Sequence, residues 1–160
     1  LATPARALGV GVDEYKLLFS QYVKPGFVAV DLGCGTGLQS IALAKLGCSV
    51  VSIDFSASLL TILNQHASKA SVSQLIHSAE MDLTSPSLES LWAPASVDIM
   101  VCALDTILHL PSKQSVQDLF AKVSAAMKPS AGSTFMLSFR DLTTELKDEA
   151  RFIPVQSRDD

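Results

Sequence analysis

Apolar residues occur along the chain in two alternating patterns, short continuous runs and runs with helical spacing. Continuous runs rich in β-branched residues indicate buried strands, whereas apolar positions three and four apart indicate helices with one buried face. The predicted strands cover residues 27–32, 48–54, part of 72–81, 96–104 and 132–139. The predicted helices cover residues 12–23, 37–46, a segment capped by Ser56 that runs through Ala67, 85–92 and 112–127.

Strands that alternate with helices predict an α/β fold, a doubly wound and mostly parallel sheet. In such sheets ligands bind beyond the carboxyl ends of the strands, so candidate site residues are those that follow each strand. In the first helix we expect Leu17, Leu18, Tyr22 and Tyr15 to face the body of the protein. Tyr15 of the same helix is a candidate lid residue over a substrate, with a place in the core as the alternative.

Composition supports a buried parallel sheet. Hydrophobic residues make up 48% of the 160 residues and charged ones 18%, and the mean hydropathy is +0.34. The longest apolar run, residues 99–104, is too short to cross a bilayer, so we expect no membrane association. A net charge of −4 argues against a basic nucleic-acid footprint, so we expect no nucleic-acid partner.

The three cysteines, Cys34, Cys48 and Cys102, include no C-x-x-C pair. Neither a disulfide framework nor a zinc site is therefore indicated, and we expect no metal. Unpaired cysteines in buried positions are typical of a reducing compartment, which predicts a cytoplasmic protein.

The turn after the first strand carries glycine at three alternate positions, Gly33, Gly35 and Gly37. Glycine there permits a tight turn and lets a ligand approach bare backbone at the start of the following helix. The dinucleotide fingerprint G-x-G-x-x-G would need a glycine at position 38, which is Leu38, and a P-loop is absent as well. Asp31 precedes the first glycine by two residues, and a carboxylate there suits a cationic ligand better than a pyrophosphate.

The run VDLGCGTG, residues 30–37, resembles the first motif of class I S-adenosylmethionine-dependent methyltransferases. The likeness extends over about residues 27–140. It implies a Rossmann-like methyltransferase fold with S-adenosyl-L-methionine as cofactor. It also implies that the cofactor is held at the glycine loop, by Asp31, Gly33, Cys34, Gly35 and Gly37.

Other cofactor residues are implied at the ends of the next strands. Asp54 corresponds to the acid that the family places on the ribose hydroxyls, although its spacing also matches the ribose acid of nicotinamide enzymes. Phe55 would flank the adenine, and AEMDL resembles the motif that meets the adenine through Met81 and Asp82. Residues 97–111 resemble the fourth strand and its loop, which adds Ala103.

Structural roles compete with several of these assignments. Asp54 could cap the helix that starts near Ser56, Phe55 could pack under the loop, and Asp82 could be a turn residue. Cys34 has no identifiable base partner and is interpreted as a small loop side chain.

Substrate-side candidates follow the fourth and fifth strands. The implied reaction is an in-line displacement at a methyl carbon, which mainly requires orientation and needs a general base only if the acceptor must lose a proton. His109 and Asp105 are the candidate catalytic residues, with packing or capping as alternatives. Arg140 is a candidate for binding an acidic substrate through its guanidinium, with an ion pair to Asp141 or bonds to helix carbonyls as the alternative.

The chain is interpreted as one domain over residues 1–160, with an N-terminal helical region at 1–26, a core at 27–140 and an extension at 141–160. The family fold has seven strands, whereas this sequence offers five and a weak candidate at 151–157. The fifth strand would then be an exposed apolar edge, which soluble proteins avoid. We therefore expect either a longer natural chain or a homodimer that pairs through residues 133–139.

The leading functional hypothesis is methyl transfer to a small-molecule acceptor. A methyltransferase-like domain that binds without catalysis is the alternative, and an NAD(P)-dependent oxidoreductase is a weaker one because of Leu38.

Overall fold

The structure, a computed structural model, describes residues 11–129 and 132–140. The described strands form a five-stranded parallel sheet with the order β3-β2-β1-β4-β5, which confirms the predicted doubly wound α/β fold. Three short 3-10 turns lie at Ser73–Leu75, Leu88–Leu91 and Thr106–His109. The other elements are α1 (Val12–Phe19), β1 (Val28–Leu32), α2 (Leu38–Lys45), β2 (Ser49–Asp54), α3 (Ala57–Lys69), β3 (Ile76–Glu80), β4 (Ile99–Cys102), α4 (Lys113–Ala126) and β5 (Thr134–Leu137).

Strand register brings all the strand ends to one edge of the sheet. Leu32 of β1 pairs with Ile53 of β2, and Asp54 pairs with Glu80 of β3. On the other side, Cys102 of β4 pairs with Leu137 of β5. The strand order reverses direction between β1 and β4, and such a switch point opens a crevice for a ligand. The glycine turn after β1 lies at this crevice.

Two apolar layers cover the two faces of the sheet. Ala29 and Val50 pack with α1 and α2 on one face. Val30 and Leu32 pack with α4 and the 3-10 turn at Leu88–Leu91 on the other. Successive residues of a strand point to opposite faces, so a sheet covered on both sides needs strands that are apolar throughout. This double burial accounts for the high hydrophobic content.

The predicted helix boundaries are confirmed where a specific capping residue defines them. The Ser56 hydroxyl accepts a hydrogen bond from the Leu59 N–H at 3.4 Å at the start of α3. Ser112 does the same for α4, with the Ser115 N–H at 3.1 Å. Gly47 follows the last turn of α2 with a φ of +86°, a conformation that favours glycine.

The predicted inward face of the first helix is confirmed for Tyr15 and wrong for Leu17, Leu18 and Tyr22. Helix α1 ends at Phe19, and the residues it buries are Tyr15 and Phe19. Leu17 is 73% exposed, and Leu18 and Tyr22 are also exposed. Tyr15 and Phe19 lie one turn apart and stack with ring centroids 5.7 Å apart, so these two rings, rather than the leucines, form the contact with the core.

Some expectations fall outside the described residues. These are the N-terminal ten residues, the extension at 141–160 and the strand candidate at 151–157. Among the helices that are described, none combines the length and the apolar character needed to cross a membrane.

Candidate functional site

A cavity of about 640 Å³ opens at the carboxyl edge of the sheet, next to the switch point. Its lining comes mainly from four segments, which lie at the carboxyl ends of four strands. They are the glycine turn after β1, the end of β2, the segment after β3 and the loop after β4. Its lining residues are Gly33, Asp54, Phe55, Leu59, Met81, Asp82, Leu83, Thr84, Leu104, Thr106, His109, Leu110 and Pro111.

The three glycines of the turn all have positive φ, but they differ in the space that is free beside them. A Cβ on Gly33 would lie 2.3 Å from Thr106 Cγ2, and one on Gly37 would lie 2.6 Å from Leu63 Cγ. Neighbouring side chains therefore already occupy the space beside these two residues. A Cβ on Gly35 would meet nothing within 4 Å, although its φ is +52°. Gly35 is thus the position where backbone faces open space, as the approach of a ligand requires.

The buried Asp54 carboxylate connects the end of β2 to the glycine turn. One oxygen, Oδ2, accepts a hydrogen bond from the Gly35 N–H at 2.9 Å. The other, Oδ1, accepts one from the Ser56 N–H at 2.9 Å. Asp54 is only 7% exposed but lines the cavity, and a carboxylate can accept about four hydrogen bonds. It therefore holds the turn and retains acceptor capacity toward a ligand.

Asp31 lies beneath the glycine turn and is not among the residues that line the cavity. Its carboxylate is 1% exposed and accepts a hydrogen bond from the Ser40 hydroxyl at 2.6 Å. Ser40 in turn accepts one from the Ser52 hydroxyl at 2.7 Å, so the chain of hydrogen bonds joins β1, α2 and β2. Burial raises the pKa of Asp31 to about 6, although the hydrogen bond from Ser40 opposes that rise and the nearby Asp54 charge adds to it.

Asp31→Asn is expected to stabilise the fold relative to the wild type as pH rises. Because the folded pKa of about 6 lies above the ordinary aspartate value of 3.8, ionising Asp31 costs folding free energy. This cost is absent below about pH 4, grows through pH 6 and reaches about 3 kcal/mol above it. Urea unfolding at pH 4.5 and 7.5 measures the difference between the two proteins. A difference that does not change with pH would contradict the buried charge.

The adenine-side candidates lie together at the cavity wall. Phe55 is 75% exposed, and the Met81 N–H donates to the Asp54 carbonyl at 3.0 Å, which fixes the segment after β3 beside β2. The Asp82 carboxylate accepts from the Thr84 N–H at 2.7 Å and from its hydroxyl at 2.6 Å, and these bonds lower the pKa of Asp82. Asp82 therefore stabilises a turn, which was the structural alternative to a binding role. It also lines the cavity.

The buried thiols are poorly suited to nucleophilic chemistry. Cys34 is 3% exposed, and burial together with the Asp31 and Asp54 charges raises the pKa of its thiol far above neutral pH. Burial likewise raises the pKa of Cys48 to about 11 and that of Cys102 to about 12. A thiolate is the reactive form, so these residues act as small apolar side chains.

The loop after β4 begins with two consecutive non-glycine residues of positive φ. Leu104 has a φ of +54° and Asp105 a φ of +67°. Each such residue costs of order 1 kcal/mol, although Asp tolerates this conformation better than Leu. Leu104 and His109 line the cavity, whereas Ala103 and Asp105 do not.

Arg140 forms an ion pair with Asp105, a residue far from it in the chain, whereas the alternative partner Asp141 lies outside the described residues. Its backbone N–H donates to Asp105 Oδ1 at 2.8 Å, and its side-chain Nε donates to Oδ2. Asp105 and Arg140, the candidates that follow the fourth and fifth strands, therefore contact each other and do not line the cavity. Tyr15, the lid candidate, is 8% exposed and packs in the core.

Contacts to the glycine turn come from residues that the sequence pattern did not single out. Thr106 fills the space beside Gly33, and Leu63 fills that beside Gly37. The His66 ring Nδ1 lies 3.2 Å from the Thr36 carbonyl oxygen, which places α3 against the turn at a second point. Only the spacing of Leu63 and His66 on one face of α3 hinted at this shared role.

No group of three or more His, Cys, Asp or Glu side chains within residues 11–129 and 132–140 is placed to hold a metal ion.

Part of the chain is similar in sequence to known methyltransferases. Residues 29–130 match the family model described as "Methyltransferase domain". The ubiquinone biosynthesis O-methyltransferase of Xanthomonas campestris is 32% identical over 116 residues, 71% of this chain and 43% of that protein. The ribosomal protein L11 methyltransferase of Campylobacter concisus is 49% identical over 55 residues, 32% of this chain and 20% of that protein. The chain thus spans less than half the length of these relatives.

Solved structures agree on the fold. The glycopeptide N-methyltransferase MtfA, complexed with sinefungin, superposes with a TM-score of 0.64 at 19% identity, over 86% of this chain and 58% of that one. The TehB-like SAM-dependent methyltransferase of Corynebacterium glutamicum superposes with a TM-score of 0.59 at 19% identity, over 77% and 60%. The family match covers more than half of the sequence and includes the glycine turn, β2, β3 and the loop after β4. The chain belongs to the methyltransferase domain family.

Proposed function

We propose that this chain binds S-adenosyl-L-methionine and transfers its methyl group to a small-molecule acceptor. The observation that carries the proposal is the cavity at the switch point of the sheet, lined by Gly33 and by the buried Asp54, whose carboxylate also accepts the Gly35 N–H of the glycine turn. Membership of the methyltransferase domain family supports it. So does the fold shared with MtfA, whose structure was also solved with S-adenosylmethionine.

The residues of the cavity fit such a cofactor. When bound, S-adenosylmethionine supplies an activated methyl group on a sulfonium. Asp54 has the acceptor capacity to receive the ribose hydroxyls while it keeps its bonds to the turn. Phe55 and Met81 offer apolar surface to a purine, and the Asp82 carboxylate offers an acceptor to its amino group. Holding both reactants in one orientation can lower a barrier by about 7 kcal/mol or more.

Asp31 supports the cofactor site from beneath the turn. Its hydrogen-bonded chain through Ser40 and Ser52 holds β1, α2 and β2 together where the turn starts. A buried carboxylate at this position also contributes negative potential under the cavity, which favours a cationic ligand. We therefore assign Asp31 an indirect role, through the turn and its charge.

His109 is the candidate base on the acceptor side. It lines the cavity at the end of the loop after β4, where its imidazole can take a proton from an acceptor that must lose one. Asp105 belongs to that loop and pairs with Arg140, and neither residue lines the cavity. We place them one step away from the substrate, as a pair that supports the loop.

A small acceptor suits the cavity and the charge. Its volume of about 640 Å³ lies in the range typical of small-molecule sites. The net charge of −4 disfavours nucleic acid. Three buried free cysteines suit a cytoplasmic location. Strand β5 is the last strand of the described sheet next to β4, so pairing through residues 133–139 would form a homodimer.

Calorimetric titration with S-adenosylhomocysteine and with NAD tests the proposal. We expect the first to bind and the second not to bind, because Leu38 packs on the core where the dinucleotide fingerprint needs its third glycine. Binding of NAD alone would support an oxidoreductase. Binding of neither would leave a domain that acts through a partner.

A further inference from the structure

The loop after β4 is held in a strained shape from outside. Leu104 and Asp105 are consecutive residues with φ values of +54° and +67°. A bulky aliphatic residue in this conformation is uncommon and persists only when its surroundings impose it. Leu104 is 62% exposed, so the shape is not imposed by burial of its side chain. The cause must lie in the hydrogen bonds to this turn.

Two residues that follow β5 make those bonds. The Ser138 hydroxyl accepts from the Leu104 N–H at 3.1 Å. The Arg140 backbone N–H and guanidinium both donate to the Asp105 carboxylate. Ser138 is itself fixed, because its N–H donates to the Cys102 carbonyl at 3.0 Å and so extends the pairing of β4 with β5. The strained pair is therefore held at both of its residues by one short segment.

The Leu104–Asp105 turn also shapes the cavity. Leu104 lines the cavity directly. Thr106, the residue after Asp105, also lines it and fills the space beside Gly33. The Thr106 hydroxyl donates to the Ala103 carbonyl at 2.8 Å, so its position depends on the path of the chain through Leu104 and Asp105. A change in the backbone of this turn would therefore reach the glycine turn through the contact of Thr106 with Gly33.

We propose that Arg140 and Ser138 are positioning residues, which hold the Leu104–Asp105 turn in its strained shape and so set the geometry of the ligand cavity. Neither residue lines the cavity. Their effect on binding passes through Leu104 and Thr106. We call the bonds from Ser138 and Arg140 to the Leu104–Asp105 turn the clamp. The inference rests on the proposed function only in its choice of ligand, because the clamp is a property of the free protein.

Arg140→Ala tests the clamp, with Lys128→Ala as its matched control. Lys128 forms the comparable ion pair with Asp98 at 2.7 Å, with similar exposure of both side chains, but at the amino-terminal side of β4 and away from the cavity. We expect Arg140→Ala to weaken binding of S-adenosylhomocysteine about three- to tenfold, the size of a partly exposed charged pair. Lys128→Ala should leave it within about twofold.

Four further readouts separate a positioning role from a general loss of stability. In the ligand-free protein, amide exchange at Leu104 and Thr106 should accelerate in Arg140→Ala and not in Lys128→Ala. Arg140→Lys should recover part of the affinity, and the double variant with Asp105→Asn should be no weaker than either single variant. High salt should narrow the difference between wild type and Arg140→Ala.

Equal affinity and equal exchange in Arg140→Ala and Lys128→Ala would overturn the clamp. A wild-type protein that binds no S-adenosylhomocysteine would instead overturn the proposed function. In that case the exchange rates alone would still confirm or reject the clamp.

Discussion

Gly33→Ala is expected to lower the free energy of unfolding by about 2–5 kcal/mol. The new Cβ would lie 2.3 Å from Thr106 Cγ2 and 2.5 Å from its Oγ1, and the backbone φ of +73° is unfavourable for alanine. Strain of this conformation contributes about 1–2 kcal/mol, and overpacking adds about 1–3 kcal/mol. Urea unfolding, monitored by circular dichroism, measures the change.

Gly26→Ala is the matched control for backbone strain alone. Its φ is +88°, but a Cβ there would meet nothing within 4 Å, so only the conformational cost applies. Thr106→Ala removes the two closest atoms and leaves Thr106 Cβ at 3.0 Å. We therefore expect the combination Gly33→Ala/Thr106→Ala to lose less stability than the two single changes added together. If Gly33→Ala costs no more than Gly26→Ala, the close contact between the glycine turn and the β4 loop is wrong.

Asp54→Asn is expected to weaken binding of S-adenosylhomocysteine by about 100-fold, the loss of one or two hydrogen bonds to a charged acceptor. The carboxylate faces two N–H donors, those of Gly35 and Ser56. An amide has one acceptor oxygen, so its NH₂ group must face one of these donors. One of the two N–H groups then loses its hydrogen bond and the ligand loses a charged acceptor, while the Gly33 and Cys34 N–H bonds to the Ile53 carbonyl still join the turn to β2. Calorimetry on the two proteins gives the ratio of affinities.

Stability and a second carboxylate provide the controls for this variant. One unsatisfied buried N–H should cost about 1–3 kcal/mol of the free energy of unfolding, which urea unfolding measures separately. Asp82→Asn changes a cavity carboxylate that is bonded only within its own turn among the described residues. It should reduce affinity less, because the amide oxygen can still accept from the adenine amino group and no bond to the glycine turn is lost. Unchanged affinity in Asp54→Asn would show that the ribose assignment is wrong.

The fold could be predicted from the sequence because its signals are local. Continuous apolar runs, the caps at Ser56 and Ser112 and the glycine after α2 each depend on residues close together in the chain. Together they define the alternation of strands and helices, and right-handed crossovers leave few arrangements for it. The position of the glycine turn at the carboxyl edge follows from that alternation.

The inward face of α1 could not be predicted in the same way. A helix of eight residues presents few apolar positions, and several faces are compatible with its sequence. Which of them is buried depends on the partner, and α1 packs Tyr15 and Phe19 against α2 and the sheet. The exposed Leu17 shows that apolar character alone does not decide burial.

The order of the elements, the glycine turn and the family are apparent from the amino-acid sequence. Only the folded chain shows which glycine has open space beside it, that Asp31 lies beneath the turn, and that Asp105 binds Arg140. Each of these depends on residues far apart in the chain, such as Gly33 with Thr106 or Asp105 with Arg140. Local periodicity carries no information on such contacts, because the pairing of strands and the packing of loops bring them together only in the folded chain.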